Sequence, residues 1–225
     1  MRHGEVSYFD PARGPFDPLG VPLNEEGQSQ AAAAAKLLAE VPLDRAICSG
    51  LKRTSQTAER VLEGRSLEVE IHDSLREIEP GNVANISLDE AQEVFVRAMA
   101  GDMDRQRRFL EGETFGALED RVLGCFHQLL ADDNWQQLLI VAHGVVNRVL
   151  LTHALGAGLS SFGHIEQDAA CINIIDVQEG GGRHLVRTVN FTPYNPLKHG
   201  IELTTMERLF AQYFELMTGK GPMES

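Results

Sequence analysis

The run QLLIVAH at 137–143 constrains the fold more than any other stretch of this chain. A strand that is apolar at successive positions has both faces covered, the situation of a parallel sheet between layers of helices. It leads directly into VVNRVLLTHAL (145–155), whose apolar residues recur at helical spacing. The same strand-then-helix unit stands earlier, as RAICS (45–49) and a helix over about 51–63. That helix puts Thr54, Ala58 and Val61 or Leu62 on one face. LEVEI (67–71) is the next strand, and CINIIDV (171–177) and HLVRTVNF (184–191) are the last two, joined by a turn at Gly180–Gly182. The alternation predicts an α/β fold of three α/β/α layers around a mostly parallel central sheet.

Capping signals place the remaining helices. Asn24 caps a first helix, with Glu25 and Glu26 at its positive end and QSQAAAAAKLLAE running toward Pro42. Ser87 and Glu90 have capping-box spacing before a helix to about residue 99, and Thr204 and Glu207 repeat it before a C-terminal helix to about Thr218. TFGALEDRVLGCFHQLLADD (114–133) is a long amphipathic helix with Leu118, Val122 and Leu129 on its apolar stripe. The chain lacks repeats and linkers, so residues 1–225 are expected to form one domain. The polar stretch 79–113 is the expected lid.

Composition excludes whole classes. The 225 residues carry 33 acidic against 20 basic side chains, a net charge of −13, which repels nucleic-acid backbones and anionic membrane surfaces. No apolar run approaches the roughly 20 residues of a membrane span, and MRHGEVSYFD has no signal-peptide core. Cys48, Cys125 and Cys171 are odd in number and widely spaced, which fits reduced thiols and a cytoplasmic location. His72, His127, His153, His164, His184 and His199 share no ligand spacing, so neither a metal nor a cofactor is expected.

Four short stretches carry chemistry. Arg2-His3-Gly4 sets a side chain that is a neutral nucleophile near pH 7 beside a guanidinium suited to phosphate oxygens. Val141-Ala142-His143-Gly144 puts a histidine where a strand ends and a helix N-terminus begins, a place that favours anions. Ser49 to Thr57 does the same for Arg53, and Leu75-Arg76-Glu77-Ile78 ends a strand with a carboxyl group able to act as acid or base. Singly, each has an ordinary explanation: a satisfied core histidine, a solvated arginine, one of many surface glutamates. Jointly, strand ends bring Arg53, Glu77 and His143 to one sheet edge, with His3 if it too follows a strand. The chain has neither the Asp/Asn cluster of magnesium-dependent phosphotransferases nor a Walker-type glycine loop.

In order and spacing these four stretches resemble the motifs of the histidine phosphatase superfamily, in the branch that includes cofactor-dependent phosphoglycerate mutases. The resemblance runs from residue 2 to about Asn190. It implies a phosphoglycerate mutase-like fold and a metal-independent reaction on a small phosphorylated metabolite. His3 becomes a phosphohistidine; Arg2, Arg53, His143 and Gly144 hold the phosphate; Glu77 protonates the leaving group and then activates water. Arg13 and Arg148 are further candidates for contacts to substrate, Arg148 equally for a structural ion pair; the run Arg105-Gln106-Arg107-Arg108 is a candidate for a second anionic group of the substrate, with a solvated helix face the favoured reading.

The chain departs from the pattern twice. Family members place an apolar strand of about five residues before Arg-His-Gly, whereas only Met1 stands before Arg2. This implies either a start further upstream, the favoured reading, or a frayed N-terminus carrying His3. Also, SYFDPARGPFDPLG (7–20) and EPGNVANISLDE (79–90) replace the Asn, Trp-rich and Tyr-Gly segments of the mutases, and the Trp-Glu-Gly common in phosphatases after the acid is missing as well. A phosphatase is therefore expected; a phosphomutase and an inactive phosphate-binding module are the alternatives. A monomer or homodimer fits equally.

Overall fold

A computed structural model of the chain describes residues 1–10, 14–15, 17–81, 97–101, 103–178 and 182–219. The order is β1 (Phe9–Asp10), β2 (Gly14–Pro15), α1 (Glu25–Leu38), β3 (Arg45–Cys48), α2 (Lys52–Val61), β4 (Val69–Ile71), α3 (Phe115–Ala131), β5 (Leu138–Val141), α4 (Gly144–Ala154), β6 (Ile172–Val177), β7 (His184–Phe191) and α5 (Thr205–Thr218). Short 3₁₀ turns follow β4 and α4. Most of the expected helix at 87–99, with its capping box, and most of the Gly180–Gly182 turn lie outside the described residues.

The central strands run β4-β3-β5, all parallel, with Ala46 opposite Val69 and Leu139. β6 and β7 form an antiparallel ribbon. Met1–His3 joins the two groups. The Met1 amine donates to the Ile140 carbonyl at 2.6 Å, Ala142 N–H to Met1 at 2.9 Å and His3 N–H to Ala142 at 3.0 Å. On the other side Arg2 N–H donates to Cys171 and Ala170 N–H to His3. The segment before Gly4 is thus a short sheet strand bonded along both edges, and His3 does not stand on a frayed end.

The core explains the patterning. Phe115, Leu118 and Val122 of α3 are fully buried against Val145, Val146 and Val149 of α4, and Phe162 meets Phe115 edge-on at 5.3 Å. On the other sheet face Ala34 of α1, Ala58 and Val61 of α2 and Val141 of β5 form a second cluster. Asn24 accepts from Gly27 N–H, Thr114 accepts from Ala117 N–H and Thr204 with Glu207 closes a capping box, so the helices begin where their cap residues dictate. The helix expected toward Pro42 stops at Leu38, because the main chain turns there, with Val41 N–H donating to Leu38.

Candidate active site

The site is built where strands end. His3 follows the short N-terminal strand, Arg53 lies in the first turn of α2 after β3, Glu77 follows β4 through a 3₁₀ turn, and His143 caps α4 directly after β5. Gly4 and Gly27 let α1 press onto the first of these. A Cβ on Gly4 would stand 2.5 Å from the Gly27 carbonyl oxygen, and one on Gly27 would stand 2.1 Å from that of Glu5. Thr57 Oγ1 accepts from Gly4 N–H at 3.1 Å while donating to the Arg53 carbonyl, which ties α2 to the same loop.

His3 is buried, and its Nδ1 lies 2.7 Å from its neighbour's carbonyl, that of Gly4. A carbonyl only accepts, so Nδ1 carries the proton and Nε2 keeps its lone pair. The His143 ring stands edge-on to it at 5.2 Å, with Nε2 bonded to Ser49 Oγ at 2.8 Å, and Ser49 is held in turn by Thr54. Burial, then the nearby Arg53 guanidinium, hold both imidazoles well below their ordinary pKa. Glu77 accepts from Ile78 N–H at 3.1 Å and from Val145 N–H, in the first turn of α4, at 3.3 Å. Burial raises its carboxyl above the ordinary 4.5, although those donors and Arg53 pull the other way.

The two arginines are almost fully buried yet not fully bonded. Arg2 Nη1 donates to the Gln167 carbonyl at 2.6 Å and to Thr205 Oγ1 at 3.0 Å; Arg53 Nη1 donates to the Pro18 carbonyl, and its guanidinium lies 5.9 Å from the Tyr8 ring centre. Arg2 Nε, Arg53 Nε and His143 Nδ1 are buried without a hydrogen-bond partner among the described residues. Buried donors of this kind are costly unless something accepts from them. Gly144 lies beside Arg2: a Cβ there would meet Arg2 Nε at 3.8 Å, an ordinary contact. Arg2, His3, Arg53, Glu77 and Gly144 all face one cavity of about 540 Å³.

The remaining candidates separate. Arg148 lines the cavity, but its donors go to the Ile165 carbonyl, Met99 and Glu166, and its guanidinium covers Phe162 at 5.6 Å; it forms wall and ion pair together. Arg13 lies outside the described residues. The 105–108 run occupies a turn instead of a helix, where Arg105 pairs with Glu119 and Asp120 and Arg108 bonds Gly112. His127, His153 and His184, unrelated by spacing, stand with neighbouring ring centres 5.2 and 5.4 Å apart. Among the described residues no group of three His, Cys, Asp or Glu side chains is placed to hold a metal ion. Sequence reasoning assigned no role to Ser49 or Tyr8. It missed Thr205, Met206 and Leu209, which bring α5 onto the site; the capping box announces that helix but not its neighbour.

Residues 1–190 match the profile of the histidine phosphatase superfamily, branch 1. The chain is 34% identical over 161 residues to the adenosylcobalamin/alpha-ribazole phosphatase of Salmonella typhimurium, covering 71% of this chain and 80% of that protein. It is 28% identical over 206 residues to a probable 2-carboxy-D-arabinitol-1-phosphatase of Arabidopsis thaliana, covering 89% of this chain and 42% of that longer protein. The crystal structure of the alpha-ribazole phosphatase from Shigella flexneri superposes with a TM-score of 0.68 at 27% identity, over 84% of this chain and 94% of that one. Among the described residues no helix is long and apolar enough to cross a membrane. The strand-end histidines and arginines are thus set in a phosphoglycerate mutase-like α/β fold, and the chain belongs to branch 1 of the histidine phosphatase superfamily.

Proposed function

We propose that this chain is a metal-independent phosphomonoesterase that works through a phosphohistidine at His3. One observation carries the reading: His3 has its Nδ1 proton pinned to the Gly4 carbonyl and its Nε2 lone pair free, beside buried Nε–H donors of Arg2 and Arg53 that lack partners. A phosphoryl group supplies the acceptors those donors want.

In the first half-reaction His3 Nε2 attacks phosphorus in line with the ester oxygen. The N–P bond forms, the P–O bond breaks, and the leaving alkoxide takes the proton of Glu77. Arg2, Arg53 and His143, with the N–H of Gly144, hold the equatorial oxygens, where charge collects in the transition state. In the second, the Glu77 carboxylate takes a proton from water. The resulting hydroxide displaces His3 from phosphorus, which frees inorganic phosphate and restores both residues. The raised Glu77 pKa suits the first step and the lowered His3 pKa keeps the nucleophile neutral. The arginines supply positive charge that other phosphotransferases draw from magnesium.

The same residues would serve a mutase; the segments that replace the mutase signatures at 7–20 and 79–90 favour hydrolysis. The test is release of p-nitrophenol from p-nitrophenyl phosphate with EDTA present, wild type beside His3→Ala. Turnover should survive EDTA and fall to background in the variant, and acid-labile phosphate should be trapped on the wild-type chain alone. Undiminished turnover by a folded His3→Ala protein would sink the assignment. We propose further that the protein is cytoplasmic and that 79–113 covers the bound substrate, for Pro80, Met99, Phe109 and Leu110 already line the cavity.

A further inference from the structure

The cavity of about 540 Å³ is lined by more than the residues assigned to the phosphate, and much of the remainder is apolar: Val6 and Phe9 after the first motif, Ile78 after the acid, Phe109, and Met206 and Leu209 from α5. α5 lies past residue 190, where the family match ends. It is fastened at both ends, since Arg2 Nη1 donates to Thr205 Oγ1 and Phe9 meets the Tyr213 ring edge-on at 5.8 Å.

Among the described residues, the arginines along these walls have partners. Arg76 pairs with Asp73 at 2.9 Å, Arg148 with Glu166 at 3.1 Å and Arg208 with Asp168 at 3.3 Å. Glu5, Asp17 and Glu79 add negative charge to the same cavity. A second phosphate or carboxylate on the substrate would have to compete with Asp73, Glu166 or Asp168 for an arginine, or lie against the carboxylates of the walls. An apolar group would instead shed water onto a matching surface.

Building on the phosphatase reading, we propose that the substrate is a phosphomonoester of a bulky, apolar or aryl-bearing alcohol with no second anionic group, and that Met206 and Leu209 select it. The measurement compares kcat/KM of the full chain for 2-(1-naphthyl)ethyl phosphate and for 3-phosphooxypropionate. Both are primary alkyl esters of similar intrinsic reactivity, so the ratio reports the wall and not the leaving-group chemistry. The naphthyl ester should be favoured by about tenfold or more, mostly through KM. Leu209→Asp should bring the ratio toward one, and Leu209→Gln, milder in folding terms, should lower it in the same direction. If neither ester nor p-nitrophenyl phosphate is hydrolysed, the phosphatase reading falls and this proposal with it. If both esters turn over with a ratio at or below one, the apolar substrate class is wrong while the phosphatase reading stands. A high ratio unmoved by either variant would overturn the role of α5.

Discussion

Burial acts on His3 and Glu77 in opposite senses. It lowers the imidazole and raises the carboxyl, which widens the pH range over which neutral nucleophile and protonated acid coexist. We expect kcat/KM to climb as pH passes the lowered His3 value and to fall as it passes the raised Glu77 value. Glu77→Gln should remove the alkaline limb and cut kcat by about 10²–10⁴-fold, as read from a pH–rate profile. The same variant should be more stable than wild type at neutral pH. A carboxyl whose folded pKa is raised stabilises only below its ordinary value and costs stability once ionised. A Tm for Glu77→Gln below that of wild type at pH 7.5 would contradict the burial argument. His3, Arg53, Glu77 and His143 were legible because reactive residue types sit where local sequence already marks a strand end. The Gly4 carbonyl that fixes the tautomer and the Ser49 hydroxyl that holds His143 were not, since each is supplied by tertiary placement and leaves no local pattern.

At the scale of elements, the decisive contact is the N-terminal turn of α1 against the loop of Gly4 and Glu5. Gly27→Ala would drive a methyl carbon to 2.1 Å from a main-chain oxygen that has no room to swing away. Overpacking of this kind costs about 1–3 kcal/mol, which a lowered urea midpoint would show, and activity should fall with it because His3 moves. Gly124 supplies the control. It lies exposed in α3 with nothing within 4 Å of an added Cβ, so Gly124→Ala should stabilise by up to about 1 kcal/mol. Most elements could be read from pattern and caps: HLVRTVNF is strand from end to end, and the C-terminal helix spans its predicted limits. The destination of that helix could not be read. Amphipathicity says that Met206 and Leu209 face something apolar, yet a substrate cavity and a core satisfy that condition alike.

For the molecule as a whole, two buried neutral histidines make stability depend on pH. Their folded pKa values lie below the ordinary 6.5, so their contribution is complete above that value and is lost as pH falls below it. In Glu77→Gln, where the buried carboxyl no longer offsets them, the Tm should therefore drop between pH 7.5 and pH 5.5, and adding His143→Asn should lessen the drop. Inorganic phosphate should raise the Tm by binding the folded state, and at about 100 times Kd the gain is about 2.7 kcal/mol. A Tm indifferent to phosphate would speak against an anion site. A net charge of −13 does not oppose this, because Arg2 and Arg53, the arginines proposed to meet the anion, are buried and set the local field themselves.

The hydrogen bond from Arg2 to Thr205 spans 203 positions of sequence. It closes the polypeptide into a loop whose clasp is also the arginine proposed to hold the phosphate. A protease that nicked the stretch before Thr204 would leave both core clusters almost whole and the circular dichroism little changed. It would nevertheless release a guanidinium from one of its two anchors, so catalytic decay in storage or in a lysate would run ahead of unfolding. An assay on such a sample would report a weak enzyme where the fault lies in a cut far along the chain.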